Sequence, residues 1–175
     1  MVRLPIGRVL DLLAQADASS SSPVRGSLLE QAIAELLGTV PGVEVAARNV
    51  KCVANTEEID LLCWNERRKT GLYYLETPFL VECKNWGTPV GGAQIVNFAN
   101  SMRSRACRDG ILVASHGITG EHGTLTEARF ELAMALRGGQ RILVITREEI
   151  AALMTAADLS RLFKRKILDL TINLT

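Results

Sequence analysis

Asp60, Glu82 and Lys84 are the residues whose types and spacing could do chemistry together. Glu82 and Lys84 close the apolar run FLVECKNW, residues 79–86. Side chains alternate along a strand, so both project from the same face as Leu80. The stretch EIDLLCWN, residues 58–65, reads as a second strand. If the chain between them turns at Gly71, Asp60 falls opposite Glu82 and shares its face, although the length of the turn leaves this register open by a residue or two. Two carboxylates so placed repel each other and are costly to hold near a core. A divalent cation relieves the repulsion, and one or two carboxylates with open water positions are what Mg²⁺ prefers. Such an ion acidifies water and stabilises charge on a phosphoryl group, and a lysine beside it orients water or neutralises the transition state. The same residues also fit ordinary cross-strand charge pairing on a sheet.

The elements around these strands must hold them in place. A helix is expected from Pro5 to Ala16, with Val9, Leu12, Leu13 and Ala16 on one face. DASSSSP, residues 17–23, reads as a flexible linker, which divides the chain into a leading segment, 1–22, and a main unit, 23–175. A second helix is expected over 23–37, stopped by Gly38. Strands follow over 43–54, 58–65 and 73–86, then a helix over 92–107. The short apolar runs GILVAS, 110–115, and RILVIT, 141–146, have the character of strands covered on both faces. Helices are expected over 124–136 and from 147. The tail LDLTINLT, 168–175, alternates with period two and predicts a half-buried strand at an edge or an interface.

The order helix, strand, strand with Asp60, strand with Glu82-x-Lys84, helix, strand resembles the PD-(D/E)XK nuclease superfamily. Within it the chain looks most like the type IV restriction endonuclease (Mrr-like) catalytic domain. EID, VECKN, GGAQIVNFANSM and GILVAS stand where that family carries its catalytic Asp, its Glu-x-Lys, its helix glutamine and the next strand. The resemblance spans about residues 23–154. It implies an α/β fold with a restriction-endonuclease-like core, a mixed central sheet flanked by helices. It implies a Mg²⁺- (or Mn²⁺-) dependent deoxyribonuclease in which Asp60 and Glu82 bind the metal and Lys84 acts on water or the transition state. Glu30, on the first core helix, would complete the metal site, with Glu35 as its competitor. Gln94 matches the family's helix glutamine. Glu58 stands where relatives often have glycine, and Glu57 and Glu58 leave open which acid faces the metal. No appended DNA-reading domain is expected, so recognition of a specific sequence is not.

DNA is the partner this reading implies, with a homodimer as the natural form for a double-strand break and a further protein partner possible. A catalytically silent DNA-binding or assembly module of the same fold, and a junction-resolving nuclease, are the rival readings. The remaining sequence sets bounds. The chain has 175 residues, 47% hydrophobic and 22% charged, with a formal net charge of +1. That is one globular domain, and any basic patch on it must be local. Gln94, Asn97, Ser101, Arg105 and Arg108 form a polar stripe that either follows a DNA backbone or faces solvent. RLFKRK, 161–166, poses the same choice. The four cysteines contain no CxxC pair and read as free thiols in a reducing compartment. His116 and His122, in SHGITGEHG, read as hydrated loop residues rather than a metal pair. Arg3, Pro5, Arg8 and Asp11 break any signal peptide, and no run is long enough to span a membrane, so the cytoplasm is expected and no membrane partner.

Overall fold

The computed structural model of the chain describes residues 2–51, 58–120 and 127–172. Cys52, Glu57, His122, the expected strand residues 53–54, the expected helix start at 124–126 and the last three tail residues lie outside these. The elements are α1 (Ile6–Ala18), α2 (Ser22–Gly38), β1 (Val43–Lys51), β2 (Glu58–Asn65), β3 (Phe79–Lys84), α3 (Gly92–Ser104), β4 (Asp109–Ala114), α4 (Glu127–Arg137), β5 (Arg141–Ile145), α5 (Arg147–Ala151) and α6 (Ala156–Ile172). The five strands form one mixed sheet in sequence order. β1, β2 and β3 are antiparallel neighbours, while β3, β4 and β5 run parallel.

The parallel strands are apolar on both faces because helices cover both. Val81, Ile111, Val113, Leu143 and Ile145 join one core with α1, α2 and α6. Their neighbours Leu80, Leu112 and Ile142 join a second core with Ile95, Phe98 and Met102 of α3 and Leu132 of α4. Each such side chain, fully buried, contributes about 1.5–3 kcal/mol, so period-two alternation fixes the faces of the sheet. Gly110 lets α3 approach β4 closely, since a Cβ there would sit 2.6 Å from Met102 Sδ and 2.8 Å from Phe98 Cζ.

Three expectations are corrected. The linker is short, because α1 runs through Ala18 and α2 begins at Ser22. Val9, Leu12 and Leu13 of α1 belong to the same core as α2. The strand expected from 73 begins only at Phe79. Upstream, backbone groups are taken by side chains instead of a ladder: Asn65 Nδ2 donates to Leu72 O (2.8 Å) and Leu75 O (2.9 Å), and the Glu76 N–H donates to Asp109 (2.7 Å). Pro78, with no N–H to offer, ends this loop.

The tail is helical through Ile172. Leu159, Leu162 and Phe163 are buried, and Ile167 and Leu170 pack against the same core, so the helical phase set upstream carries on. Leu168 and Ile172, two of the residues that suggested alternation, lie on the exposed side. The basic stretch of 161–166 also lies on α6, where Lys166 pairs with Glu149 (2.6 Å) and Lys164 sits over the rings of Tyr73 and Tyr74.

Candidate active site

The β2–β3 register pairs Leu61 with Val81, Leu62 with Leu80 and Cys63 with Phe79. Extended by one residue, it sets Asp60 across from Glu82, as the hairpin reading anticipated. The two strand ends meet through a side chain rather than a ladder bond. The Cys83 N–H donates to Asp60 Oδ2 at 2.6 Å, so β3 itself holds that carboxylate over the sheet. Lys84 Nζ lies 2.5 Å from Glu82 Oε1.

Burial is the main cause that raises the Asp60 pKa, opposed by the Cys83 hydrogen bond and the Lys84 charge. Glu82 is pushed up to about 6, first by burial and then by Asp60, with Lys84 pulling the other way. Burial works against the Lys84 ammonium, yet Glu82 and Asp60 outweigh it and its pKa is raised. The three groups form one electrostatic unit with more negative than positive charge.

Glu30 reaches toward this unit from α2. Its carboxyl is raised by burial and by the Asp60 charge, with Asn49 and Arg48 opposing. Its Oε2 is buried without a hydrogen-bond partner, and the Arg48 guanidinium stands 4.0 Å away. A buried carboxylate oxygen left in this condition is expensive. Glu35, the rival acid of α2, accepts from Gln31 and pairs with Arg8 of α1. Glu58 is exposed, whereas Asp60 is half-buried, so Asp60 is the acid of β2 held against the sheet.

Gln94 stands in the first turn of α3 and lines a cavity of about 490 Å³ with Glu58, Glu82, Lys84, Asn97 and Trp86. The polar stripe is shorter than expected, because α3 ends at Ser104 and Arg108 lies beyond it. Arg105 folds back onto Ser101 O at 3.0 Å.

The sequence reading missed how the chain after Lys84 is anchored. Ser115 N–H donates to Lys84 O (3.0 Å), and Ser115 Oγ donates to Asn85 Oδ1 (2.9 Å). Asn85 Nδ2 donates to Arg25 O (3.2 Å), and His116 Nδ1 donates to the Trp86 carbonyl. The run NW after the lysine and SH after the next parallel strand were the available signal, since adjacent parallel strands bring their C-terminal ends together.

Among the described residues, no three His, Cys, Asp or Glu side chains stand close enough together to hold a metal ion. The donors themselves suit a hard divalent cation. They are carboxylate oxygens, partly desolvated, and one of them, Glu30 Oε2, is buried without a partner.

A mixed five-stranded sheet between helices, with Asp60 and Glu82-x-Lys84 on the antiparallel hairpin, defines a restriction-endonuclease-like domain. The restriction endonuclease family model of the Mrr catalytic type matches residues 24–154, and the chain belongs to that family. No curated protein matches it. No helix among the described residues is long and apolar enough to cross a membrane.

Proposed function

We propose that the chain is an endonuclease that hydrolyses phosphodiester bonds in DNA with Mg²⁺ or Mn²⁺. The observation that carries this reading is the convergence of Asp60, Glu82 and Lys84 at one end of the β2–β3 hairpin. Asp60 and Glu82 would hold the ion, with Glu30 as the third carboxylate. Such an ion supplies positive charge where the phosphoryl group becomes more negative. Lys84 donates hydrogen bonds to the attacking water or to the phosphoryl oxygens, and Glu82 keeps its ammonium charged and aimed. Gln94, whose amide both donates and accepts, orients water or phosphate from the start of α3. The polar face of α3 runs on from the site and contacts the DNA backbone without reading sequence.

A family match over residues 24–154 supports the start of a nuclease unit, 23–175, while α1 of the leading segment, 1–22, packs into the same core. That division belongs to the same reading. So do a homodimer, which suits a double-strand break, a further protein partner, and the cytoplasm, which suits the buried free thiols Cys63, Cys83 and Cys107.

The test is cleavage of plasmid, linear and branched DNA with Mg²⁺ or Mn²⁺ by the wild type, Asp60→Ala and Lys84→Ala. Metal-dependent cleavage is expected, with a loss of about 10²–10³-fold or more in each variant. DNA binding without cleavage overturns the reading in favour of a silent module. Cutting confined to four-way DNA makes the protein a junction-resolving enzyme.

A further inference from the structure

Trp86 follows the catalytic strand by two residues and keeps 40% of its surface exposed. The chain beneath this ring is fastened at three consecutive residues, through the Lys84 and Trp86 carbonyls and the Asn85 side chain. Ser115 holds the Lys84 carbonyl and the Asn85 side chain, Asn85 also grips the Arg25 carbonyl on α2, and His116 holds the Trp86 carbonyl. Lys84 Nζ lies 5.9 Å from the indole centroid, which places the ring beside the candidate catalytic group. The indole lines the same cavity as Glu82, Lys84 and the amides that α3 contributes through Gln94 and Asn97.

The volume, about 490 Å³, falls in the range of small-molecule pockets, about 300–1,000 Å³. The charged groups of the wall are Glu58, Glu82 and Lys84, and the rest of the lining, Trp86, Gln94, Asn97, Phe98, Asn100 and Ser101, carries no charge. A neutral, flat, hydrogen-bonding guest suits the wall. Carboxamides match the donor and acceptor edges of bases, and an exposed indole is a surface on which any base stacks.

We propose that this cavity receives one unstacked nucleobase of the DNA, with Trp86 as the stacking surface and Asn97 against the base edge. The proposal rests on the DNA nuclease reading and sharpens its substrate class. Preferred DNA carries an unpaired or easily extruded nucleotide next to the bond that is cut. Fully paired duplex must first break a stack and is therefore bound less tightly.

The experiment uses the full chain and three duplexes: fully paired, with one unpaired nucleotide, and with the same extra nucleotide lacking its base. Binding is read by anisotropy in Ca²⁺ and cleavage in Mg²⁺, for the wild type, Trp86→Ala and Trp86→Phe. Trp86 emission is followed in a Trp64→Phe background. The expected result is tighter binding of the unpaired base than of its abasic counterpart by about 5- to 150-fold. Trp86→Ala abolishes that preference and Trp86→Phe keeps most of it, while Trp86 emission is quenched only when the base is present. Equal binding of the base-bearing and abasic duplexes by the wild type overturns the proposal. So does an equal loss on both in Trp86→Ala, which would make Trp86 a positioning residue for Lys84. If the wild type still cuts DNA in Mg²⁺ in either case, the nuclease reading stands and the base pocket alone falls. If no DNA is bound or cut, both fall.

Discussion

The β3–β4 pair carries a buried carboxylate site at each end, and the two are built on opposite plans. Where β4 begins, Asp109 is 1% exposed and accepts two hydrogen bonds from Arg141, at 2.7 and 2.8 Å, and a third from the Glu76 N–H. Arg141 also donates to the Tyr74 carbonyl at 2.9 Å. Every strong acceptor there is met, by a guanidinium whose planar fork matches the carboxylate. Where β3 ends, three carboxylates, Asp60, Glu82 and Glu30, share one nearby lysine. Asp60 has a single backbone donor, Glu30 Oε2 has none, and burial drives the acids toward their neutral forms. The first site spends its charge on holding the 66–78 loop to the sheet. The second keeps charge in reserve for something that is not protein. That contrast separates a structural ion pair from a candidate reactive one better than burial does, since both sites are largely withdrawn from water.

Removing one partner should therefore have opposite effects at the two ends. Asp109→Ala leaves Arg141 buried without its carboxylate and frees the Glu76 N–H, so the expected loss is about 3–5 kcal/mol in urea unfolding. A loss below about 1 kcal/mol would show that the loop is held mainly by Asn65 and that the contrast between the ends is overdrawn. Gly110→Ala comes next. Its Cβ would press on Phe98 and Met102, whose helix also carries Gln94 and Asn97. Overpacking of this kind costs about 1–3 kcal/mol. Unfolding measures that cost, and cleavage kinetics then tell whether strain at one end of α3 reaches the other.

At the reactive end the sign reverses. Asp60→Asn keeps an oxygen for the Cys83 N–H and removes the charge that raises Glu82, so in EDTA at pH 7 the variant should be more stable by about 1 kcal/mol. The raised carboxyl of Glu82 sets the pH dependence. In the metal-free wild type its contribution to stability is full below the ordinary value of 4.5 and is lost as the pH rises through about 6. Asp60→Asn should shrink that window. Mg²⁺ should raise the melting temperature of the wild type and leave that of Asp60→Asn unchanged. Destabilisation of Asp60→Asn in EDTA would mean that the acid is structural after all.

Much of this was legible because the reactive strands obey simple periodicities. FLVECK and EIDLLC alternate, a turn at Gly71 put Asp60 opposite Glu82 to within a residue or two, and the observed register sets them across from each other. The family motifs added Glu30 and Gln94, which helical periodicity alone cannot aim at a sheet. What stayed hidden depended on distant partners. The run 73–78 has the composition of a strand, but Asn65, Asp109 and Arg141 capture its backbone groups, and nothing local announces that. Leu168, Leu170 and Ile172 alternate within a helix because only Leu170 faces the core, and the helix was already set by Leu159, Leu162 and Phe163. Trp86 and His116 meet because β3 and β4 are parallel neighbours, a fact of topology rather than of spacing.

A third carboxylate pair supplies the scale for the other two. Arg147, at the start of α5, forms a bidentate contact to Asp17 in the last turn of α1, at 2.5 and 2.6 Å. Like the Asp109–Arg141 pair it is bidentate, here through Nη1 and Nη2 in place of Nε and Nη2, but the Asp17 side chain is 58% exposed. Arg147, through its hydrogen bonds and then its charge, holds the Asp17 pKa below the ordinary 3.8 against a small cost of burial. A depressed carboxylate contributes stability above its unfolded pKa and loses it as the pH falls through the folded value, so this contribution is present at neutral pH and disappears below about 3.8. Water and salt screen an exposed pair, and about 0.2–1 kcal/mol is the expected worth. Arg147→Ala should cost that much at pH 7 in low salt, less in high salt, and progressively less as the pH falls below about 3.8, read as the difference between paired urea titrations. If the cost were as large as for Asp109→Ala, fork geometry rather than burial would govern these pairs, and the shortage of donors around Asp60, Glu82 and Glu30 would become the decisive difference between the two ends of the sheet.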